Sequence, residues 1–236
     1  MVHDARTAEL ADRLAAVRDR IQRAAEHAGR RADEVTLVVV TKMFPADDVR
    51  RLAGLGVADV GENRDQEAAS KAIACADLGL CWHFLGQLQT NKARSVVRYA
   101  DLVHSVDRPA LVAALSAAAT RAGRVLGCLV QVDLDTVETH AGRGGVLPRD
   151  VTGLAELVAG APGLRLAGVM GVAPLGADPE PAFELLAACS GRVLADHPQA
   201  QVVSAGMSAD LEAAVLHGAT HVRVGTAVLG SRPSLG

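Results

Sequence analysis

Residues 35–42 read VTLVVVTK, an apolar stretch rich in β-branched side chains that ends in a lysine. Because both of its faces are apolar, the stretch is typical of a strand buried in a parallel sheet. Short stretches of the same kind recur along the chain. They predict further strands at 58–61, 82–85, 101–104, 126–132, 164–170, 201–204 and 221–224.

The segments between these strands have apolar residues at helical spacing. It predicts helices at 45–55, 63–75, 90–98, 108–122, 149–160, 179–195 and 208–217. Eight strands spaced regularly by helices predict an α/β fold, a single (β/α)8 TIM-type barrel, which has a typical length of about 250 residues. The alternative is a doubly wound open sheet. It is less favoured because the chain has no G-x-G-x-x-G turn after a strand.

An amphipathic segment precedes the first strand. Residues 7–29 place apolar side chains on one face and charged ones on the other, and Gly29 is a candidate C-cap. We therefore expect a lead-in helix over 7–29 and a barrel over 35–230. Since no linker or low-complexity tract interrupts the chain, residues 1–236 are expected to form one domain.

Composition excludes several classes of protein. A net charge of −3 gives no concentrated positive field for nucleic acid or an anionic membrane. The four cysteines form no C-x-x-C pair and the eight histidines show no metal-binding spacing, so we expect no metal site. The N-terminus lacks the apolar core of a signal peptide, and no apolar run is long enough to span a bilayer. A soluble, cytoplasmic protein is expected.

Lys42 is the first candidate for chemistry, because active sites of such barrels lie at the C-terminal ends of the strands. A lysine in an apolar rim loses solvation, which lowers its pKa and makes the neutral amine a nucleophile for carbonyl groups. The chain has only three lysines, Lys42, Lys71 and Lys92, against twenty-one arginines. The alternative is that Lys42 simply leaves the strand for solvent.

Two loops at the other end of the chain suggest a phosphate site. SAGMS at 204–208 follows the seventh strand, and RVGT at 223–226 ends the eighth. Glycines let backbone N–H groups approach an anion, and barrels commonly bind phosphate after strands 7 and 8. Alternatively, Ser208 caps a helix and the glycines only turn the chain.

Arg223 either faces the helix layer or points into the barrel mouth, where a ring nitrogen could accept its hydrogen bond.

Two further polar stretches lie at strand ends. VGENRDQEA at 60–68 places Glu62 and Asn63 there, and WHFLGQLQTNKAR at 82–94 begins with His83 and continues into a polar cluster. Helix capping and a solvated loop are the alternative explanation for both.

Together these stretches resemble the pyridoxal phosphate homeostasis protein family (YggS/PROSC type). The resemblance rests on VVVTK at 38–42, GENRDQE at 61–67, WHFLGQLQTNK at 82–92, GVM at 168–170 and SAGMSADLEAAVLHGATHVRVGTAVLG at 204–230. These segments extend over nearly the whole chain, in the order in which the family has them.

The resemblance implies a barrel like the N-terminal domain of alanine racemase, holding pyridoxal 5′-phosphate (PLP). Lys42 would then be the Schiff-base lysine, Arg223 the arginine facing the pyridine nitrogen, and Asn63 the polar residue beside the ring. The implied phosphate cradle consists of Ser204, Gly206, Met207, Gly225 and Thr226.

The chain departs from the family pattern in two places. Met43-Phe44-Pro45 follows Lys42 where the family commonly has Thr-x-Pro, and His140-Ala141-Gly142 stands where the family usually carries K-x-G. Both departures affect the rim of the site more than PLP binding itself.

The functional expectation is a protein that holds PLP as a lysine Schiff base and serves in intracellular PLP homeostasis, without turnover of its own. The main alternative is a PLP-dependent racemase-like enzyme. Such an enzyme would need a C-terminal β-domain and a second base, but few residues follow Gly225 and the single tyrosine, Tyr99, lies near the end of a predicted helix.

A Schiff-base aldolase is a weaker alternative, because it would need an inward carboxylate and Glu62 is the one candidate. The expected partners are PLP and, transiently, PLP-requiring apoenzymes. We expect the protein to be a monomer.

Overall fold

The computed structural model describes residues 4–135 and 144–231. Eight strands form its centre, and they are β1 Thr36–Val40, β2 Asp59–Glu62, β3 Cys81–Phe84, β4 Leu102–Val106, β5 Leu126–Val132, β6 Leu164–Gly171, β7 Val202–Ser204 and β8 His221–Val224. Each strand pairs in parallel with the next, and β8 pairs with β1, so that the sheet is a closed barrel. The predicted (β/α)8 barrel is confirmed.

Helices surround the barrel. The α-helices are α1 Ala5–His27, α2 Ala46–Gly54, α3 Asp65–Ala74, α4 Ala93–Val96, α5 Pro109–Ala122, α6 Val151–Ala159, α7 Glu180–Asp196, α8 Leu211–Leu216 and α9 Thr226–Leu229. Most predicted bounds hold to within a few residues.

Two helix predictions need correction. Residues 90–98 are not one helix, because a 3-10 turn at Thr90–Lys92 leads into the four residues of α4. The short helix α9 was not predicted. It begins directly after Gly225, and Val228 and Leu229 are its buried residues.

Side chains alternate between two faces along the regular parts of the strands, as the pleat requires, whereas register shifts interrupt the pairing of β4 with β5 and of β5 with β6. On β8, Val222 and Val224 join the hydrophobic layer under the helices, whereas Arg223 between them lies on the opposite face. The same alternation gives β2 an outer residue in Val60 and an inner one in Asp59. The period of two therefore assigns polar side chains to the barrel interior.

The lead-in helix α1 packs against α8 and α9. Its apolar face is buried, as the periodicity predicts, and consists of Leu10, Leu14, Val17, Ile21, Ala24 and Ala25. Polar contacts fix its position, because Arg20 forms a two-point ion pair with Glu212 and Arg6 bonds Asp48 and the Leu229 carbonyl. Helix α1 thus covers the sector where β8 meets β1.

No helix within residues 4–135 and 144–231 has both the length and the apolar character needed to cross a bilayer.

Gly168 and Gly153 provide a matched pair of glycine-to-alanine tests. Gly168 on β6 has a φ of +149°, and a Cβ there would lie 1.9 Å from the Val202 carbonyl oxygen. Gly153 lies inside α6, where a Cβ would meet nothing within 4 Å.

We expect Gly168→Ala to destabilise the protein by more than about 3 kcal/mol, because it combines backbone strain with overlap of backbone atoms. Gly153→Ala should stabilise it by about 0.5–1 kcal/mol. Urea unfolding of both variants measures these changes. Equal stabilities would contradict the close approach of β6 to β7.

Candidate functional site

The C-terminal ends of β1 and β8 lie side by side. Val38 pairs with Arg223 and Val39 with Val224, and a Cβ at Gly225 would lie 3.2 Å from the Val40 carbonyl oxygen. The turn that carries Lys42 therefore lies next to the Gly225-Thr226 loop. Sequence reasoning predicted both loops, and barrel closure brings them together.

The turn after β1 is held at both sides of Lys42. The Lys71 ammonium donates to the Thr41 carbonyl over 2.7 Å, and the Met43 N–H donates to the Glu67 carboxylate. Met43 adopts a φ of +68°, a left-handed conformation that costs a non-glycine residue about 1–2 kcal/mol. These contacts stabilise a strained turn and fix the backbone from which the Lys42 side chain leaves.

Lys71 is the centre of a buried polar cluster beneath this turn. Besides Thr41, its ammonium contacts Glu62 Oε1 at 2.7 Å and Glu67 Oε1 at 2.6 Å. Lys71 and Glu62 are both buried. The cluster therefore ties α3 to the ends of β1 and β2.

The Glu62 carboxylate faces the helix layer rather than the barrel interior. Its Oε1 also accepts from the Thr41 hydroxyl at 2.6 Å, and Oε2 has no partner among the described residues. Burial raises the pKa of Glu62, and the hydrogen bonds from Lys71 and Thr41 oppose that rise. Glu62 lies on the outer face of β2 and contacts Lys71 there. The expectation that it could serve as an inward base is therefore wrong.

The role of Lys71 was not predicted from the sequence. Its signals were present, because Lys71 is one of three lysines and follows Glu67 by four residues on one helix.

Arg223 points into the barrel, which decides between the two orientations left open by the sequence. It is 6% exposed, and it donates to Ser204 Oγ at 2.6 Å and to the Gly171 carbonyl at 2.9 Å. Burial lowers the pKa of Arg223 to about 10, so that the guanidinium stays charged at neutral pH. A buried, fixed positive charge thus lies below the ends of β7 and β8.

Ser204 differs from its predicted role. Its hydroxyl lies inside the barrel between Arg223 and His104 Nδ1, the latter 2.9 Å away. Because these contacts hold the hydroxyl below the loop, the geometry gives Ser204 the role of supporting Arg223 and does not support its place in a phosphate cradle.

The loop after β7 provides other candidates. Gly206 has a φ of +85°, and a Cβ there would lie 2.6 Å from Ala214 Cβ, so the turn requires glycine. The Met207 N–H donates to Asp210 within the same loop. Ser208 Oγ lies 3.4 Å from the Ala227 N–H, next to Gly225 and Thr226. The candidate cradle therefore joins the β7 loop to the start of α9.

Asn63 lies at the end of β2 and lines a cavity of about 220 Å³ at the barrel mouth, together with Leu85, Gln131 and Met170. Its Oδ1 is buried without a hydrogen-bond partner in the described parts of the chain. Buried polar atoms normally have partners, so an unpaired one beside a cavity indicates a place for a polar ligand. Asn63 therefore lies where a polar ligand could reach it, and its position beside a ring stays a prediction.

Of the two departures from the family pattern, one is described. Phe44 is buried with Arg6 above its ring, 5.8 Å from the centroid, so Met43-Phe44 is part of the packed rim. His140-Ala141-Gly142 lies outside the described residues.

Comparison with known proteins agrees with this geometry. The family described as alanine racemase, N-terminal domain, matches residues 13–233. A pyridoxal phosphate homeostasis protein of Mycobacterium tuberculosis is 45% identical over 243 residues, covering 96% of this chain and 94% of the relative. The protein of that description from Escherichia coli K12 is 34% identical over 230 residues, covering 95% and 97%. The chain belongs to the pyridoxal phosphate homeostasis protein family.

Solved structures show the same architecture. PipY of Synechococcus elongatus, determined with PLP bound, has a TM-score of 0.81 and 33% identity, covering 94% of this chain and all of that chain. Alanine racemase of Corynebacterium glutamicum has a TM-score of 0.64 at 19% identity. This chain spans 63% of its length, and the likeness is one of fold alone.

Replacing Lys71 by methionine tests the cluster beneath Lys42. The substitution removes the cation between two carboxylates, and breaking a buried ion pair costs about 3–5 kcal/mol. In wild type the pKa of Glu62 is already raised, and without Lys71 it rises further. Protonation then favours the folded state, so the loss should be larger at neutral than at mildly acid pH.

Chemical denaturation at two pH values measures this effect. Arg50→Met, which removes an exposed ion pair with Asp77, is the control and should change stability little at either pH. A Lys71→Met variant as stable as wild type would refute the role of the cluster.

Proposed function

We propose that this protein binds PLP through Lys42 and serves in intracellular PLP homeostasis as a holder of the cofactor without substrate turnover. The proposal assigns residues 1–236 to a single PLP-binding domain. Family membership, and the PLP bound in the similar PipY structure, support the cofactor. The observation that carries the proposal is the placement of the three lysines.

The surroundings of the other two lysines support Lys42 as the Schiff-base residue. The Lys71 ammonium is buried and donates to three oxygens, which encloses it away from the barrel mouth. Lys92 lies at the surface, 3.8 Å from an Asp65 oxygen. Lys42 lies in the turn two residues after the end of β1, and this turn lies next to the loop that starts α9. A nucleophilic amine at this site is therefore assigned to Lys42.

Other residues would hold the remaining parts of the cofactor. Arg223 would face the ring nitrogen with its fixed guanidinium, and Asn63 would lie beside the ring. Gly206, Gly225 and Thr226 would approach the phosphate, with Ser208 as a further hydroxyl. Met207 would lie beside the phosphate without donating to it, because its N–H already donates to Asp210.

PLP, when bound, supplies an aldehyde that joins amines and a ring that withdraws electrons. Arg223 limits the second property. Because a guanidinium remains protonated, it opposes a proton on the ring nitrogen, and an unprotonated ring is the weaker electron sink. This charge supports holding over turnover.

The single tyrosine gives further support. Tyr99 follows α4 and packs against the hydrophobic clusters, and its hydroxyl is buried. Burial raises the pKa of Tyr99 above its ordinary range. A group in this position is unsuited to proton transfer at the barrel mouth.

The proposal extends to partners and location. PLP-requiring apoenzymes would receive the cofactor transiently, in the cytoplasm, from a monomer. The description of the relatives as pyridoxal phosphate homeostasis proteins supports the transfer of cofactor to apoenzymes.

Absorbance of the purified protein with added PLP tests the cofactor site. Wild type should show the visible band of lysine-bound PLP, and Lys42→Ala should lose it. Lys92→Ala is the matched control and should keep it. After borohydride reduction, mass spectrometry should find the cofactor on the peptide that contains Lys42. A wild-type protein that stays colourless with added PLP would refute the cofactor.

Incubation of the PLP-loaded protein with L-alanine and other amino acids tests the absence of turnover. We expect neither racemisation nor decarboxylation above that of free PLP, measured by chiral chromatography and by release of carbon dioxide. Turnover that Lys42→Ala abolishes would establish the racemase-like alternative instead.

A further inference from the structure

Five polar side chains form a continuous line across the interior of the barrel. Arg223 Nη1 lies 2.6 Å from Ser204 Oγ, and Ser204 Oγ lies 2.9 Å from His104 Nδ1. His104 Nε2 lies 2.9 Å from His83 Nδ1, and His83 Nε2 lies 2.9 Å from Asp59 Oδ1. The line runs from β8 through β7, β4 and β3 to the first residue of β2, at the N-terminal end of the barrel.

The middle of this line has no access to solvent. Ser204 and His104 are 0% exposed and His83 is 2% exposed, whereas the Asp59 side chain keeps 23% of its exposure. A buried polar group without a partner costs about 1–3 kcal/mol, so each of these groups depends on its neighbours in the line.

The two ends fix the direction of the hydrogen bonds. A guanidinium can only donate, and an ionised carboxylate can only accept. Burial pushes the pKa of Asp59 upward, but hydrogen bonds, first of all the one from His83, outweigh it and leave the pKa below its ordinary value. Asp59 is therefore the acceptor end at neutral pH.

The histidines then have one consistent arrangement. Burial, with the charge of Arg223, lowers the pKa of His104 well below its ordinary value, so this imidazole is neutral. With one proton on each ring, His83 donates from Nε2 to Asp59, and its bare Nδ1 accepts from His104 Nε2–H. The bare Nδ1 of His104 in turn accepts from the Ser204 hydroxyl, whose oxygen accepts from Arg223.

We propose that His104 is a positioning residue for Arg223, acting within a one-way chain of hydrogen bonds that runs from Arg223 through Ser204, His104 and His83 to Asp59. The chain ends in a positive and a negative charge, so each bond is polarised in the same sense. It fixes the guanidinium below the barrel mouth. That this guanidinium then meets the ring nitrogen of PLP rests on the proposed function.

The Asp59 end of the hydrogen-bond chain could instead bind a metal ion. Cys81 Sγ lies 3.3 Å from His83 Nε2, so that Asp59, Cys81 and His83 form a donor set suited to a divalent cation such as zinc. The ring of His221 lies 6.1 Å from that of His83. Metal binding requires a bare Nε2 on His83, which is the opposite tautomer. The two uses of His83 therefore exclude each other, and the direction of the chain distinguishes them.

Nitrogen-15 NMR of the imidazoles, on the full chain without PLP at neutral pH, tests the direction. We expect both His83 and His104 to carry their proton on Nε2 and to have a bare Nδ1. A proton on Nδ1 of either ring would overturn the proposal, and such a shift on addition of zinc would assign the lower end to a metal. This measurement needs neither cofactor nor substitution, so it stands even if the protein fails to bind PLP.

PLP affinity, read from the visible band, tests the effect on the site. His104→Leu removes both the acceptor and the donor, and it should weaken PLP binding about tenfold, the worth of one to two buried hydrogen bonds. His104→Gln retains an amide that can accept and donate, and should restore most of the affinity. His197→Gln, which changes a histidine paired with the exposed Glu156, is the control and should bind as wild type does.

Ser204→Ala provides a second, smaller change. It removes the hydroxyl that links Arg223 to His104. PLP binding should weaken as in His104→Leu, and circular dichroism should show an intact fold. Wild-type affinity in both His104→Leu and Ser204→Ala would overturn the positioning role. A wild-type protein without a visible band would instead refute the proposed function and leave the tautomer result valid.

Discussion

The pairing of β8 with β1 is the interaction on which the site depends. Barrel closure brings the first strand of the chain next to the last, and it places Lys42 beside the loop of Gly225 and Thr226. In an open sheet these residues would lie at opposite edges. The lead-in helix α1 packs over the same sector through α8 and α9, so the segment before the barrel protects its closing seam.

Closure also creates a dry interior, and polar side chains inside it must satisfy one another. Two such systems result. On the inner face, Arg223, Ser204 and the two histidines form a line that reaches Asp59. On the outer face of the β1 and β2 ends, Lys71 joins the carboxylates beneath the Lys42 turn. The interior line holds Arg223 below the candidate site, and the Lys71 cluster holds the turn that carries Lys42.

Much of this architecture could be predicted from the sequence, because it depends on local patterns. Apolar runs of β-branched residues located the strands, and glycines next to hydroxyls located the two loops after β7 and β8. The face of the strand on which each polar side chain lies was harder to predict. Ser204 and Glu62 were assigned to the mouth from their positions at strand ends, but the strand pleat turns Ser204 to the interior and Glu62 to the helix layer. The partnership of His83 with His104 depends on the packing of two strands across the barrel, which no spacing in the sequence reveals.

The enclosure of Lys71 also affects how the protein would handle a reactive aldehyde. Free aldehydes condense with any accessible amine, and a protein rich in surface lysines would capture them at many places. This chain carries its positive charge on twenty-one arginines, whose guanidinium groups stay protonated, and of its three lysines one is buried in a three-oxygen cage. The molecule thus carries nearly all of its positive charge on groups that do not condense with aldehydes, which favours loading at a single, defined stoichiometry.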